Sequence, residues 1–306
     1  ETATLKLDGR LESDDGAALA ALTSLDRIAS VGREPGRLTF TAEGPLQSDM
    51  RVKAQIVARG LDAAAEGTAR YANGAVTGAL HTTVKEADLR PLFGVPQSVP
   101  ARFAGDVTLA KDRVTLASAS GTVAGANLRG RAAIGLVVPH SIDADIDADD
   151  INGAAIVAAL TGWPEGERAS RGGAQSNLWA WPVDPFARGL AADYRGKVVL
   201  RSQRATVTPA WLMRELRATL TLGDAEAKVS DLSGSVAGGR VAGTVSLKRG
   251  GEGLRADLQM KLTDADAAML LPAAARPPVS GRVGLDVTLA GTGLSPNALV
   301  GSLAGS

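Results

Sequence analysis

Apolar and polar residues alternate with a period of two through most of this chain. In Leu254–Leu262, Leu258, Met260 and Leu262 fall on one side and Asp257, Gln259 and Lys261 on the other. Val283, Leu285, Val287 and Leu289 alternate with Arg282, Asp286 and Thr288, and Val241, Val245 and Leu247 with Arg240, Thr244 and Lys248. Leu5 and Leu7, Leu38 and Phe40, and Leu216, Leu220 and Leu222 follow the same rule. Successive side chains of a strand point to opposite faces, so each stretch predicts a strand with one apolar and one wetted face. Asn73-Gly74, Gly223-Asp224 and Gly250-Gly251 separate such stretches at hairpin spacing.

A phrase is also spoken twice. Residues 120–134 read SGTVAGANLRGRAAI and residues 233–247 read SGSVAGGRVAGTVSL. Leu128 matches Val241 and Ile134 matches Leu247 as apolar positions. Recurring strand units build by stacking neighbours, which makes a long surface the expected functional object. Helical signals are short: Ser295-Pro296-Asn297 places a capping Ser before Pro, and Ser13 to Leu19 resembles it. Ala87-Asp88 with Leu92 and Phe93 matches Ala265-Asp266 with Leu270 and Leu271, predicting brief helices that close a strand group. Residues 163–189, with Trp163, Trp179, Trp181 and several Pro and Gly, read as a linker between strand-rich halves 1–162 and 190–306. The three Trp residues are expected to cover the open end of a core.

With few helices to cover them, the apolar faces must meet each other, enclose something or contact lipid. The inward sets include small residues, as in Gly105, Val107, Leu109 and Gly243, Val245, Leu247. That favours a mainly β fold, an elongated curled antiparallel sheet with an apolar trough, over a tightly filled sandwich. Trp163, Trp179 and Trp181 cluster instead of forming the two aromatic girdles of a membrane barrel.

The chemistry-bearing residues are sparse. Lys plus Arg and Asp plus Glu are both 33, so there is no basic surplus for nucleic acid. There is no Cys, hence no disulfide framework or thiolate metal site. No apolar run reaches the roughly 18–20 residues that span a bilayer. The chain begins at Glu1 without a visible signal peptide or anchor, and reads as a piece of a longer one. Asp143, Asp145, Asp147 and Asp149 alternate with Ile142, Ala144, Ile146 and Ala148, the wet face of a strand, and an EF-hand register started at Asp145 fails at Asp150 and Ile156. His81 and His140 are the only histidines, and Ser141 beside His140 points to the opposite strand face. Gly196-Lys197 lacks a P-loop frame, Gly291-Thr292-Gly293 meets Pro296 where a dinucleotide fingerprint needs Gly or Ala, and no pair of carboxylates marks a hydrolase cleft. No enzyme, metal or cofactor is expected.

Three stretches resemble the AsmA-like family. Leu289 to Gly305, read as LAGTGLSPNALVGSLAG, is similar to its strand-to-helix signature. Leu232 to Gly243 is similar to its turn between strands, and Asp8 to Leu19 followed by Pro35-Gly36-Arg37-Leu38 completes the series. The resemblance implies a periplasmic β-groove, held to the inner membrane by a helix outside this chain, that moves phospholipid toward the outer membrane. It also implies a link to outer-membrane protein assembly, so a scaffold whose strand edges pair with client β-proteins is the alternative. Roughly 16 strands at about 4.8 Å would give a trough about 75 Å long, with strands of about seven residues. An acyl chain of about 16 carbons could gain at most roughly 13 kcal/mol there. The expected rungs are Leu38, Phe40, Val107, Leu109, Ile142, Ile146, Leu216, Leu220, Val245, Leu247, Leu258, Met260, Leu262, Val283, Leu285 and Val287.

Overall fold

The computed structural model describes residues 4–45, 48–72, 74–93, 97–164, 181–208, 211–270 and 280–306. Leu271, Asn73 and Trp179 lie outside the described residues, as does most of the expected linker. The fold is mainly β, an open curled antiparallel sheet with a few short helices, and its strands are ordered as in the chain. Two compact units divide at Asp147/Ala148. No described helix is long and apolar enough to cross a membrane.

The first unit runs from β1 (Thr4–Ser13) through α1 (Gly16–Leu22), β2 (Gly36–Pro45), β3 (Met50–Ala58), β4 (Leu61–Ala72), β5 (Ala75–Asp88), α2 (Arg90–Phe93), β6 (Pro100–Leu109), β7 (Arg113–Val123) and β8 (Ala126–Gly135). The strand β9 (His140–Asn152) straddles the division. The second unit contains α3 (Gly153–Thr161), β10 (Tyr194–Thr208), β11 (Trp211–Gly223), β12 (Glu226–Val236), β13 (Gly239–Gly250), β14 (Gly253–Asp266), α4 (Ala267–Leu270), β15 (Arg282–Gly293), α5 (Pro296–Gly301) and β16 (Ala304–Gly305). Neither unit's first strand pairs with its last, so neither closes into a barrel.

The repeated phrase is one hairpin made twice. In β7–β8 the turn is Ala124-Gly125, with φ of 50° and 87°; in β12–β13 it is Ala237-Gly238, with φ of 50° and 75°. Two positive φ values define the tight turn whose twist matches paired strands. The Gly of each Ser-Gly faces backbone of the preceding strand: a Cβ on Gly121 would stand 2.0 Å from Arg102 O, and one on Gly234 2.9 Å from Arg214 O.

Apart from β16, the strands are longer than the expected seven residues; β5 has 14 and β10 has 15. Small residues and register shifts let them continue without breaking. Shifts occur at Val84/Ala87, Leu116/Ala119, Val229/Leu232 and Leu262/Ala265. Asp231 and Asp264 occupy two of them at φ of 54° and 59°, a region Asp tolerates better than most residues. Such bulges bend a strand and increase its twist, which is how a flat ladder becomes curled.

The helices expected after the Ala-Asp pairs are α2 and α4. Asp88 Oδ1 accepts from Arg90 N–H at 3.2 Å, and Asp266 Oδ1 from Ala268 N–H at 2.9 Å, so each Asp caps its helix while its Ala is buried. Ser295 caps α5 by accepting from Ala298 N–H at 3.2 Å. The helix α3 has no counterpart in the sequence reading: Ala154 to Leu160 is apolar all round and carries no period, though Asn152 caps it through Ala155 N–H.

Candidate functional site

Cross-strand register collects the apolar residues into rows. In the first unit one row is Leu11, Leu38, Ile56, Ala63, Val84, Phe103, Gly121 and Leu128. The next is Gly9, Phe40, Ala54, Ala65, Thr82, Gly105, Ala119 and Gly130, and a third contains Gly67, Leu80, Val107, Leu116 and Ala132. Gly78, Leu109, Val114 and Ile134 form a fourth. Directly opposed residues share a face, so these rows make one apolar surface. Its second row is lined by small side chains except at Phe40, whose ring lies over Gly9: a Cβ there would meet Phe40 Cζ at 2.2 Å.

The second unit repeats the arrangement. Val198, Leu220, Val229, Val245, Leu258 and Leu289 form one row; Leu222, Ala227, Leu247, Ala256 and Gly291 another. Gly243, Met260 and Val287 follow, then Val241, Leu262 and Leu285. Leu216 and Leu262 are buried, Val283 and Leu285 exposed, and the other expected rungs of this unit are half-buried. Leu38, Phe40, Val107 and Leu109 in the first unit are also half-buried, as are Ile142 and Ile146 on β9, which alternate with buried Ala144 and Ala148. The sequence reading omitted Ile56, Val84, Phe103, Val229 and Leu289 from the rungs. Met50, Val52, Ala54 and Ile56 carried a clear alternation that reveals Ile56; at Val229 the bulge at Asp231 breaks the period and hides it.

Among the described residues, helices and loops cover this face at one end of the first unit and at both ends of the second. In the first unit, Ala29 and Leu89 pack with Ile56, Leu61, Val84, Ala87 and Ala101, joined by Leu92 and Phe93 of α2. In the second, Leu270 of α4 packs against the cluster of Ala205, Met213, Leu216, Val241, Leu262 and Ala265. The opposite end of that unit is covered by Phe186, Leu254 and Leu299 with Trp163. Trp163 meets Trp181 and Phe186 edge-on, with ring centroids 5.9 Å and 5.6 Å apart. The segment 181–189 is strapped there: Phe186 N–H donates to Leu294 O at 3.0 Å, and Arg249 donates to Thr161 O and Ala187 O at 2.7 Å each. The expectation that Trp residues cover an open core end therefore holds for Trp163, and Trp181 joins it at the edge.

The other face is polar and arranged by the same register. Asp8, Thr41, Lys53, Glu66, His81, Asp106 and Ser118 stand opposite one another across seven strands. Lys53 pairs with Glu66 at 3.1 Å, and His81 Nδ1 lies 2.9 Å from Asp106 Oδ1. Ser118 donates to Asp106 Oδ2 at 3.1 Å. The His81 ring, then the Ser118 hydroxyl, hold the Asp106 carboxyl below the usual carboxylate range. Asp sits in the middle of this trio, so the hydroxyl faces a carboxylate and not the imidazole, the reverse of an activated nucleophile. A cavity of about 490 Å³ opens on this face beside the ladder, lined by Lys6, Asp8, Glu43, Arg51, Lys53 and Glu66 among others. Its three cations and three anions leave no net field to select an ion. Two carboxylates of the acidic run on β9 have arginine partners: Arg131 lies 3.8 Å from Asp145, and Arg204 3.3 Å from Asp150.

Each unit thus presents an apolar sheet surface, covered at one end in the first unit and at both ends in the second among the described residues, and in the first unit the opposite face is a polar surface of paired charges. Comparison with curated proteins and with solved structures returns no match. The AsmA family model matches residues 143–306, more than half of the chain, and with it the strand-to-helix stretch and the second copy of the repeated hairpin fall inside the matched region. The chain belongs to the AsmA family.

Proposed function

We propose that the apolar sheet face binds the acyl chains of phospholipids and carries them in the cell envelope, without covalent chemistry. The observation that supports this is the row structure: apolar residues aligned strand after strand, half-buried along the middle of each unit, with cover among the described residues at one end of the first unit and both ends of the second. A face on which the described residues pack no second layer along the middle is matched to a chain-like apolar ligand, and rows of Val, Leu and Ala hold such a ligand by area without fixing its position. Membership of the AsmA family supports an envelope role. On this reading the chain works in the periplasm, held to the inner membrane by a segment beyond this sequence, and passes phospholipid toward the outer membrane.

Leu258 and Gln259 separate the reading from its rivals. Leu258 stands between Val245 and Leu289 on the apolar face, whereas Gln259 stands between Thr244 and Thr288 on the other. A photoreactive side chain at each position, activated in cells, should give lipid adducts at Leu258 only. Equal labelling at both, or none at either, rejects the assignment of the face. Adducts to an unfolded outer-membrane protein, without lipid, would instead favour an assembly scaffold.

A further inference from the structure

In the first unit the hairpin tips at one end of the strands carry apolar side chains into solvent. Leu136, Val137 and Val138, between β8 and β9, are 51%, 68% and 70% exposed, and Tyr71 and Val76 on the β4–β5 hairpin are 64% and 52% exposed. Consecutive residues exposed to this degree are a marker of a contact surface and are unlike scattered surface apolar residues. The neighbouring β6–β7 tip carries Lys111, Asp112 and Arg113, all exposed, two cations against one carboxylate and so a net positive tip, and neither cation has an ion-pair partner among the described residues. The two tips are tied together, because Leu136 N–H donates to Asp112 O at 2.7 Å. The tips also adjoin the apolar face: Tyr71 pairs with Val76 two residues beyond Ala69 and Gly78, and Leu109, Val114 and Ile134 form the adjacent row.

We propose that this rim of hairpin tips seats on the surface of an anionic lipid bilayer. A bilayer accepts apolar residues from separate tips without shape complementarity, and a phenol ring suits the interface between headgroups and acyl chains. Lys111 and Arg113 flank the apolar tip where anionic headgroups would lie, each cation near such a surface contributing favourably. A protein partner or second copy would need a continuous concave or flat apolar patch, which two apolar tips on either side of the charged β6–β7 tip do not make. The inference stands independently of the groove reading, since it concerns the tips and not the rows.

Sedimentation with phosphatidylcholine vesicles, with and without phosphatidylglycerol, tests it. The wild-type chain should bind both, and the phosphatidylglycerol vesicles more tightly in a salt-sensitive way. Val137→Asp with Val138→Asp should weaken binding to both by at least about tenfold. Lys111→Glu with Arg113→Glu should weaken binding to the phosphatidylglycerol vesicles alone, by about tenfold. Val183→Asp, at a residue 73% exposed in the second unit, should change nothing. No vesicle binding by the wild type, equal binding by the double Asp variant, or self-association lost in that variant without vesicle binding overturns the proposal. Photolabelling at Leu258 in the double Asp variant keeps the two ideas apart: it should persist whichever way the vesicles answer.

Discussion

Gly121 provides a direct test of why the Ser-Gly phrase is repeated. It pairs with Phe103 on β6 and Leu128 on β8. A Cβ added there would lie 2.0 Å from Arg102 O, 2.5 Å from Phe103 Cα and 2.7 Å from Phe103 Cβ. Carbon atoms in contact rest about 3.5–4.0 Å apart, so β6 would have to retreat by roughly 1 Å. A ladder bond near 2.9 Å lengthened by that amount is no longer a hydrogen bond. Overpacking of this kind costs about 1–3 kcal/mol, and the clash with main chain places Gly121→Ala at the upper end. Two other alanines calibrate it. Gly125→Ala meets nothing within 4 Å but adopts φ of 87°, which costs about 1 kcal/mol. Gly234→Ala meets Arg214 O and Met213 Cγ at 2.9 Å, and the flexible Met213 can yield, so it should fall between the two. Urea unfolding ranks the three, and hydrogen exchange across β6 and β7 locates the damage. If Gly121→Ala costs no more than Gly125→Ala, close approach of strands is not the reason glycine stands there.

Two further perturbations follow from side chains that hold segments in place. Burial alone would raise the Asp88 carboxyl, but the Val99 N–H, the Ser98 hydroxyl, the Arg90 N–H and the Arg90 charge outweigh it and leave it lowered. Its stabilisation is therefore present above the ordinary carboxylate range and lost as pH falls through the depressed value; Asp88→Ala should cost about 1 kcal/mol at neutral pH and blunt the acid sensitivity of the urea midpoint. An unchanged acid slope would remove Asp88 as its source. Arg249→Met keeps the stem but removes the donors to Thr161 O and Ala187 O, a loss of about 1.5–3 kcal/mol for charge-assisted bonds. Amide exchange at Phe186, Ala187 and Asn297 should accelerate while Val245 on β13 is unaffected; protection retained at all four would show that Arg249 is not the clamp.

The strand faces were legible because they depend on a local period. Leu258 and Gln259 are assigned to opposite sides by adjacency alone, and the paired register then places them as expected. The short helices were legible where a cap announced them, as at Ser295 and Asp88. What escaped were features that the partner strand decides. The bulges at Asp231 and Asp264 add a residue against a neighbour and interrupt the alternation, which concealed Val229. The helix α3 is uniformly apolar, so no face marked it until its ends were seen to be capped. The trio of His81, Asp106 and Ser118 joins residues on three strands, and no spacing in the chain foretells that Asp106 sits in its middle.

The contacts that stabilise each unit and the positions proposed to bind lipid lie on different parts of the same face. Ile56, Leu61, Val84 and Ala101 are buried where α2 and the segment around Ala29 close over one end of the first unit, and Val241, Leu262 and Ala265 are buried near α4 in the second. Residues at those positions supply the cohesive contacts, because burying a side chain fully is worth about 1.5–3 kcal/mol and half-burial correspondingly less. Val107, Leu109, Val245 and Leu258 lie farther along the strands and stay half-buried. Filling that middle with large side chains would have closed the sheet upon itself; Gly105, Ala119 and Gly130 in one row and Gly243 in the other unit keep it low. The covered ends therefore hold the curl, and the small residues keep the rest of each face low, which is the shape the proposed acyl-chain binding requires.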